Sequence, residues 1–187
     1  MSLLTHHSAQ ASHYNEAAKH YDEFNEANAA LINQTIEHIL QQQGVKTVLD
    51  LTCGTGSQVF WLTKRGYDVT GYDINANMLK VARSKAKKEN LPIKFRQGDM
   101  RTTQAGKFDV VLTIFNAVGH LTKLDFEQAI RNINSNLRDG GLYVFDIFNL
   151  DYLIAANNIT SLTIDWQETA NDTQMRKIQY STILNHV

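Results

Sequence analysis

Val48-Leu49-Asp50-Leu51-Thr52-Cys53-Gly54-Thr55-Gly56 joins a short apolar run to a glycine-rich turn, and few folds accommodate that combination. Val48, Leu49 and Leu51 read as a buried strand, and the glycines as a tight turn that opens a helix. Glycine there removes Cβ atoms where backbone must approach something closely. Asp50 falls at the carboxyl end of the strand, where open α/β sheets bind their ligands. A second run, Tyr67-Asp68-Val69-Thr70-Gly71-Tyr72-Asp73, also ends in an acid. Strand, glycine turn, helix, strand and an acid about 20 residues on is the nucleotide-ribose layout of a Rossmann-like half.

The chain beyond this point alternates strands and helices. Val59, Phe60 and Leu62 begin a helix that Gly66 ends, and Asn75 to Glu89 forms the next. Ile93 to Asp99 alternates like an edge strand, and Phe108 to Ile114 reads as the most buried strand. Thr122-x-x-Asp125 resembles a capping box, and Asp139-Gly140-Gly141 reads as a turn into a strand from Leu142 to Ile147. Upstream, residues 11 to 43 carry helical spacing and suggest a pair of helices. Downstream, 162–169 and 175–184 alternate around Ala170-Asn171-Asp172-Thr173 and suggest an antiparallel hairpin. The expected class is α/β, a Rossmann-like, doubly wound and mostly parallel sheet.

Composition narrows the function classes. The 187 residues carry 18 Lys and Arg against 19 Asp and Glu, a formal net charge of -1, which offers no footprint for nucleic acid. The one cysteine, Cys53, precludes an internal disulfide and suits a reducing compartment. No apolar run approaches a membrane span and no signal peptide opens the chain, so the expected location is cytoplasmic.

A dinucleotide fingerprint needs a third glycine where this chain has Val59. The motif resembles instead the Asp/Glu-x-Gly-x-Gly-x-Gly signature of class I S-adenosylmethionine (SAM) methyltransferases. Asp50, Gly54 and Gly56 match it and Thr52 departs at the first glycine. The likeness runs from about residue 13 to 150. His13-Tyr14-Asn15-Glu16-Ala17-Ala18-Lys19-His20-Tyr21-Asp22 looks like the opening of small-molecule methyltransferases, where this segment covers the cofactor as a lid. Gly98-Asp99-Met100 resembles the third motif, Phe108 to Leu121 the fourth, and Leu137 to Gly141 the turn before strand five.

The resemblance implies a single domain over 1–187, with a helical lid over 1–43, a Rossmann-like core over 44–150 and a hairpin over 151–187. Relatives continue with more strands, so the tail reads as truncated; a homodimer is one means of covering an edge strand there. The implied cofactor is SAM, with S-adenosylhomocysteine as product. Asp73 would take the ribose hydroxyls, Ile74 would pack on the adenine, and Asp99, with Met100 beside it, would accept from the adenine amino group. Asp50 would face the sulfonium and α-amino group, while Phe115 and Asn116 would line the methionine end. Tyr14 and Tyr21 would touch SAM or substrate.

Phe115-Asn116-Ala117-Val118-Gly119-His120-Leu121 lacks the Asn-Pro-Pro-Tyr motif of adenine methylation and looks like the loop of small-molecule N-methyltransferases. His120 suits proton acceptance near neutrality; it would equally serve as a helix cap or backbone partner. Methyl transfer to a nitrogen or oxygen of a small acceptor is therefore the leading reading. A SAM-binding module without catalysis is the second. An NAD(P) oxidoreductase is disfavoured by Val59 and by the lack of a Tyr-x-x-x-Lys pair after strand four. No metal site is expected.

Overall fold

The computed structural model describes residues 7–147, 161–170 and 173–182. They fall into two compact units, His7–Ile147 and one made by the remaining chain. In the first, five strands run β1 (Thr47–Asp50), β2 (Asp68–Asp73), β3 (Lys94–Gln97), β4 (Phe108–Thr113) and β5 (Leu137–Phe145). They lie in the order β3-β2-β1-β4-β5, and every neighbouring pair is parallel. The strand order reverses between β1 and β4, so a crevice opens beyond their carboxyl ends.

Burial on both faces explains the continuous apolar strands. Val48, Leu49, Val110, Val111 and Leu112 are fully buried. Val48, Val110 and Leu112 pack with α1 (Tyr21–Gln41), α2 (Ser57–Thr63) and α3 (Ala76–Lys88) through Leu40, Val59, Leu79 and Ala82. Leu49 and Val111 pack with α4 (Lys123–Asn136) through Ala129 and Ile133. Two helical layers thus cover the sheet, as parallel strands require.

The starts of α3 and α4 follow from side-chain caps. Asn75 Oδ1 accepts from the N–H groups of Asn77 at 2.8 Å and Met78 at 3.0 Å to begin α3. Thr122 Oγ1 accepts from Asp125 N at 3.3 Å to begin α4. The cap of α4 is therefore Thr122, which removes the helix-cap reading of His120. Gly56 begins α2 at φ +95°, and a Cβ there would lie 2.8 Å from the Phe60 ring and 2.9 Å from Phe95. Left-handed strain costs about 1–2 kcal/mol and overpacking about 1–3. Gly56→Ala is expected to lower unfolding stability by about 2–4 kcal/mol, measured by urea titration; a loss under 1 kcal/mol would refute this account of the turn.

Two local readings change. The N-terminal region forms short 3₁₀ turns at Ala11–Tyr14 and Ala17–Lys19 and then one 21-residue helix, not two comparable helices. No glycine or proline interrupts Tyr21 to Gln41, so nothing divides α1. The Asp139-Gly140-Gly141 turn is a bulge inside β5: Phe108 pairs with Leu137 but Val110 with Leu142. Asp109 holds this end of the sheet. Its Oδ2 accepts from Lys46 N at 2.9 Å and Thr47 N at 2.8 Å, and Arg138 donates to Oδ1 at 2.6 Å. The Thr47 and Lys46 amides hold the Asp109 carboxyl down to about 2.

In the second unit β6 (Ser161–Ala170) and β7 (Thr173–Thr182) pair antiparallel, from Ser161 opposite Thr182 to Ala170 opposite Thr173. The Asn171-Asp172 turn and Leu184 lie outside the described residues.

Candidate cofactor and active site

A cavity of about 630 Å³ opens at the carboxyl ends of the strands. It brings together Tyr14, Tyr21, Thr52, Gly54, Asp73, Ile74, Asp99, Met100, Phe115 and His120. Asp50, Gly56 and Asn116, expected at the site, do not line it.

The β1 tip explains the departure at Thr52. Its hydroxyl accepts from Ile114 N at 3.2 Å, which ties the end of β1 to the end of β4. A glycine could not do this. Asp50 is 1% exposed; Oδ1 accepts from Thr52 N at 3.0 Å, and Oδ2 has no hydrogen-bond partner among the described residues. Burial, opposed by the Thr52 amide and reinforced by the charge of Asp73, pushes the Asp50 carboxyl up to about 7.

That shift has a sign for stability. The folded protein holds the Asp50 proton more tightly than an unfolded chain, so Asp50 costs stability as pH rises from about 4 to about 7. Asp50→Asn is expected to flatten this part of a Tm-against-pH profile and to exceed the parent in Tm at pH 8. Superimposable profiles would show that Asp50 does not titrate there.

Asp73 ends β2 and faces the cavity. Oδ2 accepts from Gly54 N at 2.8 Å and Oδ1 from Asn75 N at 2.7 Å. Burial raises its pKa, and the Asn75 and Gly54 amides oppose that rise. A carboxylate offers about four acceptor sites, so about two remain, the number a vicinal diol requires. Ile74, next to it, leaves 37% of its surface open on the cavity. Gly54, at φ +52°, presents flat backbone: a Cβ there would meet nothing within 4 Å. Two spare acceptor sites, an uncovered apolar side chain and open space over the glycine turn fit an adenosine carrying an amino-acid tail. The cavity volume suits a ligand of that size.

Asp99 is occupied by a residue that the sequence reading overlooked. Arg101 Nε lies 3.0 Å from each Asp99 oxygen, Nη2 is 2.5 Å from Oδ2, and Arg101 N donates to Oδ1 at 2.8 Å. Burial works upward on the Asp99 carboxyl, but Arg101's hydrogen bonds and charge outweigh it and hold the pKa below its usual value. Three N–H groups leave about one acceptor site, enough for one amino hydrogen. An arginine two positions past a strand-tip acid was the available signal.

The N-terminal segment meets the loop after β4 across this cavity. The Tyr14 hydroxyl lies 3.1 Å from His120 Nε2, and the Tyr14 ring meets His120 and Tyr21 edge-on with centroids 6.1 and 6.2 Å apart. Burial first, then the charge of Asp73, raises the Tyr14 pKa. Ala9 N donates to the His120 carbonyl at 2.9 Å. Asn75, the α3 cap, also donates Nδ2 to the Ala11 carbonyl and to Asn15 Oδ1, the latter at 3.0 Å. Asp22, another residue missed from sequence, accepts from Thr55 Oγ1 at 2.5 Å and from Lys85 at 2.8 Å, fixing the start of α1 to the glycine turn.

Phe115 and Asn116 adopt φ +63° and +56° in succession. Asparagine tolerates this region and phenylalanine does not, so the pair stores strain of about 1–3 kcal/mol per residue. Asp146 Oδ1 holds the turn by accepting from Asn116 N at 3.0 Å. Asn116 packs over Gly119, where a Cβ would lie 2.3 Å from its side chain.

Comparison with known proteins agrees with this geometry. Residues 48–141 match the sequence model of a family described as a methyltransferase domain. The chain is 31% identical over 134 residues to glycine N-methyltransferase of Homo sapiens, covering 63% of this chain and 45% of that protein. It is 31% identical over 120 residues to glycine/sarcosine N-methyltransferase of Parasynechococcus marenigrum, covering 62% and 43%. The chain spans 64% of the length of a curated relative from Geobacillus sp. and 43% of the Parasynechococcus protein. Among solved structures, DesVI of Streptomyces venezuelae aligns with a TM-score of 0.74 at 22% identity, covering 89% of this chain and 70% of that one. An S-adenosylmethionine-dependent methyltransferase of Clostridium acetobutylicum aligns with a TM-score of 0.71 at 17% identity, covering 90% and 81%. These two show the fold. Sequence motifs, strand order and family match converge, and the chain belongs to the class I SAM-dependent methyltransferase family.

Proposed function

We propose that this chain binds SAM and transfers its methyl group to a nitrogen of a small molecule, with oxygen as the alternative acceptor atom. The observation that carries the reading is Asp73, whose carboxylate faces the cavity with two acceptor sites to spare beside the uncovered Ile74. The preference for nitrogen comes from the relatives named glycine and glycine/sarcosine N-methyltransferase.

When bound, SAM supplies a methyl group already activated on a sulfonium. The chain's part is then alignment and exclusion of water. Asp73 would hold the ribose diol, Ile74 and Met100 would enclose the adenine, and Asp99 would accept from its amino group. Asp50, from behind the glycine turn, would hold the Thr52 amide and so shape the turn beside the cofactor. Residues 7–41 serve as the lid, with Tyr14 and Tyr21 facing the cavity. His120, hydrogen-bonded to Tyr14, is the group to take a proton from the acceptor.

Among the described residues no helix is long and apolar enough to cross a membrane. The balanced charge and single cysteine support a cytoplasmic setting without nucleic-acid contact. A homodimer that covers an edge strand in the tail is a proposal from the sequence pattern. Calorimetric titration with SAM, S-adenosylhomocysteine and NADH tests the cofactor, and release of S-adenosylhomocysteine with glycine, sarcosine or an amino sugar tests transfer. Binding of the first two and not NADH is expected; binding of NADH alone would overturn the reading. SAM binding without release from any amine or hydroxyl acceptor would favour a non-catalytic module.

A further inference from the structure

We propose that Arg101 is a positioning residue that fastens the N-terminal segment to the adenine side of the cavity, so that aiming Asp99 and closing the segment are one event. This rests on the assignment of Asp99 to the adenine amino group.

The contacts form a continuous path. Arg101 spends Nε and Nη2 on Asp99 and turns Nη1 to Asp125 at 2.9 Å. Asp125 Oδ2 also accepts from the Ser8 hydroxyl, and Ser8 Oγ accepts from Thr122 N at 2.8 Å. The next residue, Ala9, donates its amide to the His120 carbonyl. A single guanidinium thus links a strand-tip acid, the first turn of α4 and the segment that reaches Tyr14.

Geometry and charge explain why it must be arginine. The planar fork engages two carboxylates in different directions, whereas an ammonium is one point charge. The side chains of Asp99, Arg101 and Asp125 are 23%, 26% and 27% exposed, so solvent screens the triad only partly. Without the arginine the like charges of Asp99 and Asp125 lose the cation that bridges them. Arg101 itself lines the cavity, which places the junction beside the ligand and not in a remote brace.

The test uses hydrogen exchange and calorimetry on Ser8→Ala, Arg101→Met and Arg101→Lys, with Arg138→Ala as control. Arg138 pairs with Asp109 at the opposite end of the strands. Without cofactor, amides of residues 8–14 are expected to exchange at least tenfold faster in Ser8→Ala and both Arg101 variants, and at the parent rate in Arg138→Ala. SAM affinity should fall roughly tenfold in both Arg101 variants and severalfold in Ser8→Ala. The Ser8→Ala/Arg101→Met double variant should bind no more weakly than Arg101→Met, since both break one path. Unchanged exchange over 8–14 in a folded Arg101 variant would overturn the proposal, as would strict additivity in the cycle. Should Arg101→Met fail to fold, Arg101→Lys and Ser8→Ala decide it. Failure of the parent to bind SAM would refute the cofactor reading, while the cofactor-free exchange would still decide the fastening.

Discussion

Asp73→Ala is expected to weaken SAM binding by at least about tenfold. The carboxylate has about two acceptor sites left after the Gly54 and Asn75 amides, and a ribose diol would fill both. Hydrogen bonds to a charged group contribute about 1.5–3 kcal/mol each, so losing even one removes about tenfold or more in affinity. Asp73→Asn keeps one oxygen acceptor and should fall between the two. Calorimetry on the folded variants gives the measurement. Parent-like affinity in Asp73→Ala would end the ribose assignment, whatever the variant does to activity.

The second large effect concerns His120. If it accepts the acceptor's proton, His120→Ala should lower turnover by roughly 10²–10⁴ and leave SAM affinity nearly intact. The structure sharpens this test, because Thr122 and not His120 caps α4, so loss of the imidazole should not loosen that helix. Tyr14→Phe separates the partners by removing the hydroxyl 3.1 Å from Nε2 while keeping the ring. A smaller turnover loss there, with the pH profile of kcat/KM displaced, would mark Tyr14 as the group that tunes His120. Normal turnover in folded His120→Ala would exclude it as the base; lost SAM affinity would move it to the cofactor wall.

How much of this could be read from residues alone follows from the range of the interactions. The strand at Val48, the glycine turn and the acid at Asp73 were legible because their signals are local: an apolar run, residues freed from Cβ constraints, and regular spacing. The cap at Thr122 was legible for the same reason. Arg101 was not, since its partner Asp125 lies 24 residues away and only the folded sheet brings them together. The role of Thr52 was hidden likewise, because the N–H that needs its hydroxyl belongs to Ile114. Asp50 was read as facing the cofactor from its place at a strand tip; its side chain instead folds back onto the Thr52 amide and leaves the wall to Gly54 and Asp73. The 3₁₀ turns before α1 lie in a stretch whose helical spacing suggested a longer helix, and long-range contacts to Asn75 and His120, which spacing does not show, hold this segment.

The left-handed turn at Phe115 and Asn116 bears on the order in which the site is assembled. Its backbone is unfavourable by itself, and the hydrogen bond that stabilises it comes from Asp146, thirty positions downstream at the end of the last parallel strand. A chain that has paired β1, β2 and β4 therefore holds the elements around Asp73 before the contact from Asp146 to this turn is made. Docking of β5 adds this long-range contact to a loop that the Ala9 amide and the Tyr14 hydroxyl also hold at His120. Backbone order at Phe115 and Asn116 is then expected to follow β5 pairing, and packing changes at Leu142 or Val144 would reach this turn without touching it.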